Sequence, residues 1–284
     1  MRIVKRSLNG SHALVEILLE APPLPQQTTK MLGSVFTLGK KETNAFLKLP
    51  RLTDKTYAGL ERKLERSERL HPALPYLLKS IFRIGIWEGL GGENKPGYFK
   101  RQDLFMIGNS ARQELAKALL LMSEHDREQA LFWWLQIGIK QSVWKRHFFG
   151  SLSISRLACG LAEIGAIVRW PTILESCSHR INLLARFRGH AESLCMMINS
   201  RVEEPCMSFR VLTREHTHKL TPREARLVQG VQDFFGRQFR GVWRPVSISV
   251  SSLTLDTGNL TSNPEFVGKV RGMVQEVVTD LNAF

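Results

Sequence analysis

The sequence predicts a mainly α-helical protein. Three observations carry that reading. Apolar residues recur at i, i+3, i+4 and i+7 through most of the 284 residues. Prolines and capping residues punctuate those stretches. Only residues 246–255 alternate with a period of two, through Val246, Ile248 and Val250 with serines between, as a strand would. The expected organisation is an N-terminal helical domain over 1–88, a linker over 89–100, a middle helical domain over 101–202 and a C-terminal domain over 203–284. The last is read as a helical region with room for a short β-hairpin.

The elements follow in order. Residues 11–20 read as a short helix with Leu14, Val15, Leu18 and Leu19 inward, ended by Ala21-Pro22-Pro23-Leu24-Pro25 because each proline biases its predecessor away from the α region. Residues 26–38 read as a second helix with Gly39 as its C′ residue, and residues 43–49 as a third, closed by Pro50. Residues 53–70 make a fourth, capped by Thr53, with Tyr57, Leu60 and Leu64 as its apolar stripe. Residues 75–87 are apolar and helical, and the glycine-rich run after Gly89 is the linker. Beyond it, Ser110 and Gln113 suggest a capping box, and Ser123 caps a helix with Leu131, Trp134, Leu135 and Ile139 inward, whose end is basic and aromatic.

Residues 151–171 are the central stretch. Ile154, Leu157, Ala158, Leu161, Ile164, Gly165 and Val168 share one helical face, with Ser151 or Ser153 as cap and Pro171 as stop. Residues 172–188 read as the next helix. Glu203-Glu204-Pro205 suggests a linker, and Thr221-Pro222-Arg223-Glu224 is a helix start with cap, proline at N1 and glutamate at N3. A last helix begins near Asn263-Pro264-Glu265. Its broad stripe, including Phe266, Val270, Val274 and Val277, docks either in the fold or on another copy.

Charge narrows the partners. The chain carries a formal +14, which favours a polyanion: nucleic acid or an acidic membrane surface. Residues 1–100 hold 17 Lys and Arg against 9 acids, residues 101–190 hold 12 against 7, and residues 191–284 hold 11 against 10. The anion-facing surface is therefore expected in the first two thirds. Four scattered cysteines and no CxxC pair suggest free thiols in a reducing compartment. No apolar run approaches the ~20 residues of a membrane span, and Glu16 and Glu20 interrupt the apolar start, against a signal peptide.

Chemistry-bearing motifs are scarce. The glycines after Gly89 do not form a phosphate loop, and there is no GxSxG, HExxH or recognisable carboxylate pair. Cys177, His179, His190 and Cys195 are ligand types at a spacing unlike a standard zinc finger, so no metal and no cofactor are expected. No motif points to catalysis. The candidate site is a basic surface: Arg62, Lys63, Arg66 and Arg69 on the fourth helix, Lys95, Lys100 and Arg101 at the linker, and Lys140, Lys145 and Arg146 beside Trp144, Phe148 and Phe149. The last group suits a helix C-terminus as well as it suits headgroups or stacked bases.

Three collinear stretches resemble the influenza-type matrix proteins of orthomyxoviruses. PPLPQQTTKMLGSVF at 22–36 is similar to the family's second helix, LGGENKPGYFKRQDLF at 90–105 to the linker between its helical domains, and LACGLAEIGAIV with Cys177 to its middle-domain helix. The basic stretch after the linker is reduced here to Lys100-Arg101, and about 25 residues are inserted between the second and third matches. The resemblance implies a divergent, non-influenza member with a matrix-type helical fold. It implies self-assembly beneath the virion envelope, binding to anionic lipid, and attachment to RNA in the viral ribonucleoprotein or to its nucleoprotein. It also implies a presence in the cytoplasm, in the host nucleus and at the inner face of the plasma membrane. The alternative is a helical nucleic-acid-binding protein of plasmid or phage origin; an enzyme of another family is the second rival.

Overall fold

The computed structural model describes residues 21–48, 54–91, 101–201, 207–212, 220–235, 242–251, 260 and 264–278. The helix expected over 11–20 and the Thr53 cap lie outside the described residues. Among those residues the protein is mainly helical, with a five-stranded sheet toward the C-terminus. The elements are α1 (Thr28–Lys48), α2 (Asp54–Leu70), α3 (Leu74–Gly89), α4 (Arg101–Leu121), α5 (Glu124–Gln136), α6 (Gln141–Glu163), β1 (Ile167–Arg169), α7 (Ile173–His179), β2 (Leu183–Arg186), β3 (Glu192–Arg201), β4 (Met207–Val211), α8 (Pro222–Gly230), a π-helical turn (Val231–Phe235), β5 (Val242–Ser251) and α9 (Pro264–Val277). The chain divides into two compact units, and the division falls between Ser151 and Leu152, inside α6.

In the first unit α3 is buried along most of its length, through Leu74, Leu77, Leu78, Ile81, Phe82, Ile84 and Ile86. α1 packs on it through small residues: a Cβ on Gly85 would stand 2.6 Å from the Phe36 carbonyl oxygen and 3.2 Å from Gly39 Cα. Gly39 is thus interior to one long α1, and the helices expected over 26–38 and 43–49 are one. Glycine there serves close approach, not a stop. α4 packs on the other side, where Ser80 Oγ donates to the Ala111 carbonyl at 2.9 Å and Arg83 pairs with Glu114 at 3.5 Å. Ser110 lies in the middle of α4, so the expected capping box there is not a helix start. Ser123 does cap α5, its Oγ accepting from Asp126 N at 3.1 Å. The Asp126 carboxylate also accepts from Leu24 N at 2.9 Å, and His71 Nε2 lies 2.9 Å from the Pro22 carbonyl, so the proline-rich entry to α1 is tied down at both ends.

Two glycines end helices that the periodicity ran through. At the end of α5, Gly138 (φ +82°) donates to the Leu135 carbonyl and Ile139 N to the Trp134 carbonyl, both at 3.1 Å. At the end of α6, Gly165 (φ +85°) donates to the Ala162 carbonyl and Ala166 N to the Leu161 carbonyl, both at 3.0 Å. These are paired 5→2 and 6→1 Schellman bonds, which need a left-handed residue that glycine supplies without a Cβ penalty. The expected helix over 151–171 is therefore corrected: it starts ten residues earlier, at Gln141, and stops at Glu163. Ser151 lies inside it, its Oγ near the carbonyl oxygens of His147 (2.7 Å) and Arg112 (2.9 Å).

The second unit corrects the C-terminal expectation. The helix expected over 172–188 ends at His179, and a five-stranded sheet replaces the short hairpin. Strand order is β1-β2-β3-β5-β4; only β3 and β5 run parallel, with Glu192 opposite Val242 and Arg201 opposite Ser251. In β5 the predicted alternation holds, with Val246, Ile248 and Val250 buried. Leu183–Ala185 in β2 and Leu194–Met197 in β3 are buried at successive positions, so these segments show no period of two. α8 starts as predicted, with Thr221 and Glu224 in a reciprocal capping box and Pro222 at N1. Its Leu227 and Val228 join Ile181, Leu184, Cys195 and Trp243 in one apolar cluster. α9 docks within the chain: a Cβ on Gly160 would stand 3.2 Å from Val270 and 3.3 Å from Phe266, and the Arg156 guanidinium lies 4.9 Å from the Phe266 ring centre.

Candidate basic surface

On α2, Arg62, Arg66 and Arg69 are exposed and recur at i, i+4 and i+7. Leu60 and Ser67 on the opposite side are buried. The arginines therefore occupy the outermost line of the helix, and Glu61, Glu65 and Glu68 run beside them, one residue earlier each time. Lys63 belongs elsewhere: it is partly buried, and its Nζ donates to Ser34 Oγ on α1 at 2.9 Å. That bond links α2 to α1.

The second group takes a different form from the one expected. Because Gly138 ends α5, Lys140, Lys145 and Arg146 stand at the start of α6, not at a helix C-terminus. The Lys140 carbonyl accepts from Val143 N and Trp144 N at 3.0 Å, which makes it the N-terminal cap. All three cations are exposed. A helix start carries the positive end of the macrodipole, and the first turn of α6 holds no acid, so dipole and side chains add to one positive potential.

Two of the aromatic residues of this stretch do not join that surface. Trp144 and Phe148 are buried, and Phe148 stacks edge-on with Trp134 at 6.1 Å between centres. They belong to the core, while Phe149 is half-buried and Gln141 and Ser142 are exposed beside the cations. His147 is also buried, edge-on to Trp87 at 5.3 Å, and neither ring nitrogen has a hydrogen-bond partner. Burial, reinforced by Arg112 and Arg146, lowers its pKa to about 3.

Lys95 and Lys100 lie outside the described residues. Arg101 opens α4, and its side chain is outside the description as well.

The expected basic surface did not include the arginines of the second unit. Arg169 and Arg186 lie on β1 and β2, and burial and the charge of Arg186 lower the pKa of Arg169 while Glu175 raises it. Arg180 follows α7, with Arg223 and Arg226 of α8 near it. Arg169, Arg180 and Arg186 fall within residues 140–190, where eight Lys and Arg stand against two acids, whereas Arg223 and Arg226 fall in the near-neutral last third.

Among the described residues no group of three His, Cys, Asp or Glu side chains converges as a metal would require. Cys177 and Cys195 are buried free thiols, and burial pushes the Cys195 thiol pKa up. No described helix is long and apolar enough to cross a membrane. The geometry offers a set of outward cations on a packed helical frame, suited to attracting an extended anionic surface. No protein-family model, curated protein or solved structure matches the chain.

Proposed function

We propose that this chain is a structural, non-enzymatic protein of matrix type, which coats an anionic membrane from the inside and bridges it to viral ribonucleoprotein. The observation that carries the reading is the outward placement of Arg62, Arg66 and Arg69 on α2 together with Lys140, Lys145 and Arg146 around the start of α6. Cations near an anionic leaflet contribute about 1 kcal/mol each, so six engaged together suffice for peripheral attachment without an inserted segment. The collinear likeness of 22–36, 90–105 and 157–168 with Cys177 to orthomyxovirus matrix proteins supports the same reading, as does the formal charge of +14. The matrix-type fold belongs to this proposal too.

Flotation of the full chain with phosphatidylserine vesicles, against phosphatidylcholine vesicles, tests it, with electron microscopy of the bound layer. A regular coat on the anionic vesicles supports the proposal. A chain that stays unbound at low salt overturns it, and nanomolar, sequence-dependent binding to one nucleic acid would favour the nucleic-acid-binding alternative.

A further inference from the structure

Arg180 is the only described non-glycine residue with a positive φ (62°, ψ 24°). A left-handed backbone costs an L-residue roughly 1–2 kcal/mol, and such costs persist where surrounding structure holds them, often at functional sites. Arg180 caps α7, which meets α8 where the His179 ring lies against Gly230 so closely that a Cβ on Gly230 would collide with it. Arg223 and Arg226 are three residues apart on α8, share a face and are exposed. Arg180 is half-buried, and burial together with the charges of Arg226 and Arg223 lowers its pKa to about 10. The Glu224 carboxylate on α8 accepts from Thr221 N and Thr221 Oγ1 at 2.8 Å and pairs with Arg210 at 2.5 Å.

We propose that Arg180, Arg223 and Arg226 form a binding site for a phosphate monoester, the dianionic group carried by an inositol phosphate. Three like charges gathered by two packed elements lower their mutual repulsion when an anion sits among them. A phosphodiester brings one charge per phosphate; a monoester brings nearly two, with three acceptor oxygens for guanidinium forks. Arginine suits that geometry better than lysine. The site uses none of the α2 or α6 cations, so it stands or falls separately from the membrane-coat reading.

Titration of the full chain with soluble inositol trisphosphate, followed by calorimetry, tests it in the wild type, in R223Q/R226Q and in R180G. Glycine accepts the left-handed backbone, so R180G keeps the fold, which its melting temperature checks. Saturable binding that weakens at least about tenfold in both variants is expected. Absence of binding, or equal binding in wild type and variants, overturns the site. Given binding, flotation with vesicles carrying phosphoinositide, against phosphatidylserine vesicles of equal charge, assigns the source. Preferential flotation supports the site with a lipid headgroup as its ligand; equal flotation supports it with a soluble phosphate ester.

Discussion

Gly39 and Gly85 face each other where α1 crosses α3, each leaving room that the other's backbone fills. A Cβ on either would stand 3.2 Å from the Cα of the other, and the one on Gly85 would also meet the Phe36 carbonyl oxygen at 2.6 Å. Neither obstacle is a flexible side-chain end, so an added methyl group must separate the helices. G39A and G85A should each lower unfolding free energy by about 1–3 kcal/mol, as overpacking does. Gly59 on α2 and Gly268 on α9 have nothing within 4 Å of the added Cβ, so G59A and G268A should instead be neutral or stabilise by up to about 1 kcal/mol. Urea titrations of the four variants check the contrast in sign.

The Schellman glycines make the complementary case. G138A and G165A meet open space but must hold φ above +80°, so each should cost about 1–2 kcal/mol through the backbone alone. An asparagine, which tolerates the left-handed region better, should recover part of that loss in the same denaturation assay.

Acid should weaken the first unit through His147. Its folded pKa of about 3 lies below the unfolded value near 6.5, so the unfolded chain binds the proton more readily. The stability tied to the neutral imidazole is complete above pH 6.5 and is lost progressively as pH falls toward 3, by up to ~1.4 kcal/mol per pH unit. His71, also lowered by burial, acts in the same direction. Unfolding free energies measured from pH 7 to pH 4 should fall more steeply for the wild type than for H147L. Parallel curves would remove His147 as a cause.

The two reciprocal capping boxes predict a local effect. Thr172 accepts from Glu175 N at 3.2 Å and Thr221 from Glu224 N at 3.3 Å. T172A and T221A should each destabilise the second unit by about 1 kcal/mol. Denaturant midpoints, with an unchanged slope, would show it.

Particular residues show what was legible in the sequence. Thr221-Pro222-Arg223-Glu224 and Ser123 mark helix starts because their chemistry is local, and the structure places both as read. The glycines could not be sorted: Gly39 sits where a helix stop is expected and Gly165 within an apolar stripe, yet Gly39 lets helices touch and Gly165 ends one. β2 and β3 were hidden because a strand buried on both faces loses its alternation. Reading past Gly138 placed Lys140, Lys145 and Arg146 at the wrong end of a helix, and periodicity alone could not show that Trp144 and Phe148 face the core. The stripe of Arg62, Arg66 and Arg69 was visible as spacing; the diversion of Lys63 to Ser34 needed the neighbouring helix.

The central claim is that outward cations of α2 and α6 bind an anionic surface. Flotation with phosphatidylserine vesicles, comparing the wild type with R62E/R66E/R69E/K145E/R146E at equal ionic strength, tests it most directly. These side chains are on the solvent side of their helices, so the variant should keep its circular dichroism spectrum and melting temperature. The account predicts that wild-type binding falls steeply between 50 and 300 mM salt, on the order expected for screened surface charge, and that the variant stays unbound throughout. A folded variant that floats as well as the wild type would contradict it.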